Sequence, residues 1–409
     1  MKGRILGMDA SAPWQRTARA AGLLGPTGQL SPTIFAEMSA LASATGAINL
    51  GQGFPDEDGP AEVLEAARRA IADGANQYPP GRGIPDLRAA IAEHQHRFYG
   101  LTVDPEREVC VTAGATEALA ATILAFCGPG DEIVVFEPYY DAYAALAGLS
   151  GATLVPVPLR FPDFQPDERD IRAAVSDRTR LILVNTPHNP TGTVFGRDTL
   201  VTILAEAERV DALVVTDEVY EHLTFGAAHV PLATLPGAAD RVITISSAGK
   251  TFSTTGWKIG WVTASAALID PIVTVKQFLT YVNGAPFQPA IAAGLRLPEA
   301  FFDGAAAALG EKRDILAAGL RAAGFAVSNP AGSYFVIADA APLGVTDAAD
   351  LCRRLPELVG VVGIPVSAFV SAEHAGDYRS LIRFAFCKKR DVLTEASARL
   401  AQLGTALHD

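Results

Sequence analysis

Two lysines in the middle of the chain have neighbours that suggest chemistry. Lys250 stands in the segment 246–252 (SSAGKTF), and Lys258 stands in the segment 256–260 (GWKIG). Both segments are rich in small and hydroxyl side chains. The amine of such a lysine can form an imine with an aldehyde, which is a common start for covalent catalysis. An isolated lysine is more often a solvated surface charge, so the interpretation depends on the other candidates.

Three side chains follow predicted strands and could surround an aromatic cofactor. Asp217 ends the run 213–216, where a carboxylate can keep a pyridine nitrogen protonated. Tyr220 could bond a phenolic oxygen of the same ring, and so could Asn189, whose loop is stiffened by two prolines. Each has a structural alternative: a capping aspartate, a core tyrosine with a satisfied hydroxyl, and an ordinary Asn-Pro turn.

A second group of residues suits a phosphate. Ala115 and Thr116 follow a predicted strand and open a helix, and small residues at a helix N-terminus let backbone N–H groups approach an anion. The Ser247 hydroxyl and the Lys258 charge could complete such a site. An ordinary capped helix explains Ala115 and Thr116 equally well.

Two further candidates could contact a cofactor ring and a substrate. Tyr140 follows the predicted strand 132–136 and could stack on a pyridine ring, although aromatic residues there often belong to the core. Arg383 lies in the apolar run 381–386 and must be paired, because an unpaired buried charge is costly. Its planar fork suits the α-carboxylate of an amino acid. An internal salt bridge is the alternative.

Short apolar runs alternate with helical stretches from residue 108 onwards, which predicts a mostly parallel sheet covered on both faces. Such sheets bind ligands at the carboxyl ends of their strands. The predicted strands are 109–112, 132–136, 153–156, 181–185, 213–216, 242–246 and 260–264. The predicted helices are 33–44, 60–73, 86–99, 115–127, 168–175, 198–209, 266–282, 311–324, 347–355 and 391–403.

The C-terminal part adds strands at 334–337 and 381–386 to helices, which predicts a smaller α+β domain. We expect residues 1–59 to form an arm and part of the small domain, 60–295 the large domain, and 296–409 the rest of the small domain. The first 30 residues are expected to be a loosely specified arm.

Composition excludes several classes of protein. The chain has 409 residues and a net charge of -12, which argues against nucleic-acid binding and gives no support to an anionic membrane. Four separated cysteines show no ligand spacing, so we expect neither a metal site nor a disulfide framework. Neither a signal peptide nor an apolar run of about 18 residues is apparent. A cytoplasmic protein is therefore expected.

Taken in order, these segments resemble the class I/II aminotransferases of fold type I, which use pyridoxal 5'-phosphate. The motifs Asn-Pro-Thr-Gly, Asp-Glu-Val-Tyr and Ser-x-x-Gly-Lys-x-Phe followed by Gly-Trp-Lys-x-Gly-Trp carry the resemblance, which spans residues 31–405. It implies an α/β fold with a seven-stranded sheet and a ping-pong transfer of an amino group, with glutamate as the expected donor.

The resemblance also implies a role for each candidate. Lys250 would hold the cofactor and move the proton, Asp217 would pair with the pyridine nitrogen, and Arg383 would bind the substrate carboxylate beside the Gly53 backbone. Tyr78 would reach the phosphate of a partner subunit, which implies a homodimer with shared sites. The remaining cofactor contacts would come from Ala115, Thr116, Tyr140, Asn189, Tyr220, Ser247 and Lys258.

Within the family, the segment 50–56 (LGQGFPD) resembles kynurenine, glutamine and methionine aminotransferases. The segments 35–41, 76–81 and 284–289 resemble actinobacterial proteins assigned as N-succinyldiaminopimelate aminotransferase, an enzyme of lysine biosynthesis. The N-terminal extension and Arg82 depart from that pattern, which leaves room for an aminotransferase of a specialised pathway. A lyase cleaving Cβ–S bonds and a non-catalytic protein of the same fold are further alternatives, and intact Lys250 and Asp217 argue against the last.

Overall fold

A computed structural model describes residues 12–25 and 28–407. Its strands are β1 Ile48–Asn49, β2 Val109–Thr112, β3 Glu132–Glu137, β4 Thr153–Pro158, β5 Thr179–Asn185, β6 Leu213–Asp217, β7 Val242–Ser247, β8 Gly260–Thr263, β9 Ala326–Val327, β10 Phe335–Asp339, β11 Val361–Val362, β12 Ile364–Pro365 and β13 Leu381–Ala385.

The longest α-helix of the described residues is Glu299–Ala322, with 24 residues. The α-helices of these residues are α1 Pro13–Ala20, α2 Ile34–Thr45, α3 Ala61–Ala72, α4 Pro85–Tyr99, α5 Gly114–Phe126, α6 Ala142–Ser150, α7 Glu168–Ala174, α8 Arg197–Arg209, α9 Ala248–Thr251, α10 Ala266–Lys276, α11 Phe287–Leu295, α12 Glu299–Ala322, α13 Ala348–Val359, α14 Arg390–Leu400 and α15 Leu403–Ala406.

A seven-stranded sheet in the order β2-β8-β7-β6-β5-β3-β4 forms the centre of the molecule. The neighbouring pairs among β4, β3, β5, β6 and β7 are parallel, and β8 runs antiparallel to both of its neighbours. The predicted mostly parallel sheet is therefore confirmed. Asn185 lies opposite Asp217 in the register, and Asp217 lies opposite Ile245, so the carboxyl ends of three strands meet at one edge.

Both faces of this sheet are buried, because successive side chains of a strand point to opposite sides. In β3, Ile133 and Val135 belong to one apolar cluster, and Val134 and Phe136 belong to another. A strand of this kind is apolar throughout rather than alternating, which explains why short continuous apolar runs predicted the sheet well.

The C-terminal region forms a separate four-stranded sheet in the order β12-β13-β10-β9, whose pairs are antiparallel. Arg383 in β13 lies opposite Ile337 on one side and Ile364 on the other. The short parallel pair β1–β11 joins residues 48–49 to this region. All strands of the central sheet fall within residues 60–295; the division into two domains itself stays a prediction.

Several predicted elements need correction. The helix expected over 266–282 ends at Lys276, whose buried amine bonds the carbonyls of Gly81 and Tyr281. The helix expected over 311–324 begins already at Glu299. Helices α6 and α11 were not predicted, because both are apolar on most sides and lack the helical alternation of polar and apolar residues.

The segment expected to be a loosely specified arm contains a helix within its described part. Helix α1 packs against α6, and at Gly148 an added Cβ would lie 2.7 Å from the Arg16 carbonyl oxygen. Only glycine permits that approach. The first 11 residues lie outside the described part of the chain.

Candidate active site

A cavity of about 380 Å³ lies at the carboxyl ends of the central strands, where β/α sheets bind ligands. It lies between the central sheet and the residues near β10 and β13. Every predicted site residue except Tyr78 lines it. The shared lining comprises Gly53, Ala115, Thr116, Tyr140, Asn189, Asp217, Tyr220, Ser247, Lys250, Lys258 and Arg383.

Lys250 lies in the short helix α9, and its side chain enters the cavity. Burial lowers the pKa of its amine to about 8; the nearby Asp217 carboxylate acts in the opposite direction, as does the Cys387 thiol where it is ionised. A buried lysine with a lowered pKa has a larger neutral fraction at neutral pH, and the neutral amine is the form that attacks an aldehyde. Its Nζ lies 3.5 Å from the Gly53 carbonyl oxygen.

Asp217 is the last residue of β6 and is buried. Burial raises the pKa of its carboxyl to about 6, while a hydrogen bond from the Tyr143 hydroxyl, 2.8 Å long, lowers it. The Val219 N–H lies 3.4 Å from the other carboxylate oxygen, so the capping alternative describes part of its bonding. A buried carboxylate without a cation in hydrogen-bond contact suits a protonated ring nitrogen.

Asn189 and Tyr220 both line the cavity. The Asn189 N–H donates to the Asn185 side chain at 2.7 Å, and the Asn185 amide donates to the Asp217 carbonyl at 2.8 Å. This chain of bonds fixes the loop after β5 against β6. Burial raises the pKa of Tyr220 well above its ordinary value, so its hydroxyl stays protonated and can donate.

The expected phosphate cradle lies at the N-terminus of α5. Gly114 has a φ of 74°, and a Cβ there would lie 3.1 Å from Lys258 Nζ, so the position requires glycine. Ala115, Thr116 and Ser247 line the cavity beside it. Backbone N–H groups, a hydroxyl and an ammonium together form a site for a phosphate.

Tyr140 rather than Tyr139 faces the cavity. Burial raises the pKa of Tyr140 to about 12, and its hydroxyl shares a hydrogen bond with Thr116. The backbone N–H of Tyr139 donates to the Phe369 carbonyl at 2.8 Å, and its side chain is buried in the core. The prediction that chose Tyr140 for the ring contact is therefore compatible with the geometry.

Arg383 is buried and makes no ion pair with a described residue, so the salt-bridge alternative finds no support in residues 12–25 and 28–407. One terminal nitrogen lies 3.1 Å from the Asn189 amide oxygen and the other lies 2.6 Å from the Gly51 carbonyl. Its Nε has no partner among the described residues. Burial lowers the pKa of the guanidinium to about 10, and it remains charged at neutral pH.

Tyr78 lies apart from the cavity, in a surface depression shared with Gln77 and Asn283. Its side chain is 82% exposed, and its ring contacts Tyr281 with centroids 5.7 Å apart. Arg82, which departs from the expected pattern, points to Asp270 and to the Arg107 carbonyl. Within one chain, neither side chain contributes to the cavity.

Sequence reasoning did not single out Tyr143 or Tyr334, which contact residues of the site. Tyr143 contacts Asp217 from α6, a helix that was not predicted, and Tyr334 contacts Gly53 from the loop before β10. The only signal for Tyr143 was its spacing from Tyr140, since residues three apart share one face of a helix. Tyr334 gave no signal, because an aromatic residue beside a strand is usually core.

Comparison with known proteins agrees with this architecture. The family model described as aminotransferase class I and II matches residues 45–400. A probable N-succinyldiaminopimelate aminotransferase of Mycobacterium tuberculosis is 50% identical over 381 residues, covering 91% of this chain and 96% of the relative. The methionine aminotransferase of Escherichia coli is 39% identical, covering 92% and 97%.

Solved structures give the same picture. The structure of N-succinyldiaminopimelate aminotransferase from Mycobacterium tuberculosis superposes with a TM-score of 0.88 at 51% identity, covering 91% of this chain and 97% of that one. Aspartate aminotransferase from Thermus thermophilus with maleate gives 0.84 at 33% identity, covering 91% and 97%. The chain belongs to the class I and II aminotransferases. It is an aminotransferase of fold type I whose cofactor is pyridoxal 5'-phosphate.

The residues present fit that cofactor. The cavity offers an amine, a buried carboxylate without a cation partner and a glycine cradle at a helix N-terminus, which match an aldehyde, a ring nitrogen and a phosphate. Bound pyridoxal phosphate supplies the aldehyde that takes up the amino group and the ring that accepts electron density from the substrate. In the described part of the chain, no helix is long and apolar enough to cross a membrane.

Proposed function

We propose that this chain is an N-succinyldiaminopimelate aminotransferase that takes its amino group from glutamate and serves lysine biosynthesis. The observation that carries the proposal is the cavity that combines Lys250, Asp217 and Arg383 in a chain 50% identical to a relative of that name. The substrate and the donor come from that likeness. The residue roles below come from the cavity and from the family.

Lys250 would hold the cofactor and, as a free amine, would move the proton at the substrate Cα. Its lowered pKa favours the neutral amine that this role needs. Asp217 would keep the ring nitrogen protonated, and Asn189 and Tyr220 would donate to the phenolic oxygen. Tyr140 would contact the ring, while Ala115, Thr116, Ser247 and Lys258 would bind the phosphate.

Arg383 binds the substrate α-carboxylate, with the Gly53 backbone beside it. The unpartnered Nε supports this role, because a buried polar atom without a partner costs free energy that a bound carboxylate would recover. The guanidinium also lies over Phe335, with its carbon 4.1 Å from the ring centroid. The aromatic neighbours hold the charged plane in one orientation.

We also propose a cytoplasmic homodimer with shared active sites. Exposed aromatic and aliphatic side chains support a second copy as the partner, because exposed apolar groups that cluster mark an interaction surface. Tyr78 and Phe278 are each 82% exposed, and Tyr281 and Leu279 are also exposed. The test is complementation: mixing Lys250→Ala subunits with Tyr78→Ala subunits should regain activity if each site uses residues of both chains.

The primary test is an absorbance spectrum of the purified protein with pyridoxal phosphate, before and after glutamate is added. The expected result is a visible band that gives way to the near-ultraviolet band of the aminated cofactor. N-succinyl-2-amino-6-ketopimelate should then restore the visible band. A visible band that glutamate leaves unchanged, but another amino acid bleaches, would reject glutamate as the donor and keep the aminotransferase.

A kynurenine-, glutamine- or methionine-type aminotransferase is the second candidate, and a β-lyase acting on cysteine conjugates shares the same site. One feature favours this candidate. The cavity wall formed by Thr33, Phe35, Gln52 and Phe54 is uncharged, as suits a neutral side chain. Comparing kcat/KM for methionine, kynurenine and N-succinyldiaminopimelate decides between the two, and release of pyruvate from a cysteine conjugate detects the lyase.

A further inference from the structure

Tyr334 lies beside the cavity and is linked to two of its components. The side chain is buried, and its hydroxyl donates a short hydrogen bond to the Gly53 carbonyl. Its ring stands almost perpendicular to that of Tyr220, at 5.2 Å between centroids. Ser333 before it has a φ of 55°, a left-handed conformation unusual for serine.

The Gly53 carbonyl also accepts a hydrogen bond from the Lys250 amine, at 3.5 Å. Lys250 Nζ lies 5.6 Å from the centre of the Tyr334 ring and 5.8 Å from that of Tyr220. The tyrosine therefore makes the closer contact to an oxygen that the amine reaches only at the limit of a hydrogen bond. Residue 53 must be small, because a Cβ there would lie 2.6 Å from the Phe335 ring.

A carbonyl oxygen that binds an ammonium favours the charged amine, since a hydrogen bond to the charged form stabilises it. A carbonyl already bound by a strong donor offers less to that ammonium. We propose that Tyr334 is a positioning residue for amino-group transfer: its hydroxyl occupies the Gly53 carbonyl and so increases the fraction of the Lys250 amine in the neutral form, which accepts a proton. This inference rests on the role proposed for Lys250.

The other groups that act on the Lys250 amine are the same whether residue 334 is tyrosine or phenylalanine. Asp217 favours its charged form, as does the Cys387 thiol once it is ionised, and Lys258 and Arg383 favour the neutral form. A change confined to the Tyr334 hydroxyl leaves these groups in place. A shift in the titration of Lys250 would then report the hydroxyl itself.

The decisive experiment uses the apoenzyme, in which the Lys250 amine is free. Wild type and Tyr334→Phe are labelled with acetic anhydride across a range of pH, and the rate at Lys250 is followed by peptide mass spectrometry. The pH midpoint of the acetylation rate at Lys250 should be about one unit higher in the variant than in wild type, which corresponds to a tenfold loss of neutral amine at neutral pH. A folded variant with an unchanged midpoint would overturn the proposal.

A matched control separates this effect from general loosening. Tyr378 is also buried, and its hydroxyl contacts two carbonyls, those of Glu137 and Leu159, at 3.1 Å and 2.8 Å. Tyr378→Phe therefore removes an equivalent hydroxyl that has no contact with Gly53 or Lys250. An equal shift of the Lys250 midpoint in this control would also overturn the proposal.

A second variant keeps the test decisive if the phenylalanine variant does not fold. Replacing Tyr334 by 3,5-difluorotyrosine keeps the shape and makes the hydroxyl a stronger donor, so the Lys250 midpoint should move down instead of up. A midpoint that stays in place would contradict the proposed role. The labelling needs no cofactor, so its outcome is separate from the spectrum that tests the aminotransferase itself.

Discussion

Two buried polar regions lie on opposite sides of the ends of β6 and β7. The polar groups of one region line an open cavity, whereas those of the other bond one another. Ser247 lines the active-site cavity, whereas Ser246 donates to Glu221 in a second group formed by His94, Tyr99, Glu221, His222 and Ser246. We call this second group the histidine cluster. Successive residues of a strand point to opposite sides, so one strand supplies both regions.

Both regions contain a carboxyl group whose pKa is raised by burial, Asp217 to about 6 and Glu221 to about 7. A perturbed pKa alone therefore does not identify the active site. The cavity adds the cations Lys250, Lys258 and Arg383 around open space. In the histidine cluster, burial lowers the pKa of His94 to about 3 and keeps it neutral.

The groups of the histidine cluster already bond one another. The His94 and His222 Nε2 atoms lie 2.6 Å apart, and Tyr99 donates to Glu221 at 2.7 Å. The possible ligand atoms of His94, Glu221 and His222 lie within 4.8 Å of one another, close enough to coordinate an ion. Hydrogen bonds already occupy these His94, His222 and Glu221 atoms. The comparison therefore teaches that an open cavity with cations outside ion pairs marks a ligand site better than buried polarity does.

The largest expected effect on activity comes from replacing Lys250, the lysine in the cavity, and not Lys276, a buried lysine that bonds backbone carbonyls. Lys250→Ala should lower the rate of amino transfer at least about a thousandfold and abolish the visible cofactor band, because it removes both the covalent anchor and the proton carrier. Lys276→Met is the control, since this buried amine bonds only backbone carbonyls. It should lower the melting temperature and keep the band. A Lys250 variant with full turnover would contradict the assignment.

The next largest effect concerns the carboxylates that line the cavity. Asp217→Asn should lower kcat about a hundredfold, because an amide cannot stabilise a protonated ring nitrogen electrostatically. Asp141→Asn is the matched control, because Asp141 also lines the cavity and burial also raises the pKa of its carboxyl. The two carboxyl groups differ in that Tyr143 donates its hydrogen bond to Asp217. Steady-state kinetics with saturating cofactor compare them. Equal losses of kcat in the two variants would contradict a special role for Asp217, because any carboxyl group lining the cavity would then matter as much.

Arg383 should show a smaller and more selective effect. Arg383→Lys keeps the charge but loses the planar fork, so KM for the amino acid should rise about tenfold to a hundredfold while kcat changes less. The melting temperature in the absence of substrate is the control for packing against Phe335. A fall in kcat with an unchanged KM would contradict binding of the substrate carboxylate.

The sequence predicted the central sheet and the cavity residues well, because both depend on short-range patterns. Asp217, Asn189 and Ser247 each stand at or just after the end of a buried apolar run, and the ends of adjacent parallel strands must meet. Tyr78 shows the opposite case: its proposed contact would depend on a second chain, and one chain leaves it exposed.

What sequence patterns missed depends on tertiary packing. Helix α6 is short and apolar, so its periodicity did not distinguish it from a strand or a loop. Tyr143, which it carries, therefore escaped notice although its hydroxyl lies 2.8 Å from the Asp217 carboxylate. The histidine cluster was missed for a similar reason: His94 lies on α4, more than a hundred residues before His222.

Tyr143→Phe sharpens the comparison at the cavity. The hydrogen bond from Tyr143 lowers the pKa of Asp217, so its removal should raise that pKa further above its ordinary value. The ionised carboxylate is the form that pairs with a protonated ring. As the solution is acidified, the variant apoenzyme should therefore lose affinity for pyridoxal phosphate at a pH about one unit higher than the wild-type apoenzyme does. Cofactor titrations across pH measure this, and an unmoved profile would argue against the contact.

Glu221→Gln tests the histidine cluster with the smallest expected effect on activity. Burial raises the pKa of Glu221 from 4.5 to about 7, so the folded chain holds a proton that the unfolded chain releases above about 4.5. The contribution of this group to stability is present at low pH and is lost as pH rises through about 7. As pH rises from about 5 to about 8, the free energy of unfolding of the variant should therefore increase relative to that of wild type, by a few kcal/mol at most.

Urea unfolding of the two apoenzymes at about pH 5 and about pH 8 measures this difference. The kcat of the variant should stay within about twofold of wild type, because Glu221 does not line the cavity. A loss of kcat comparable to that of Asp217→Asn would place the histidine cluster in the catalytic machinery and remove the distinction between the two regions.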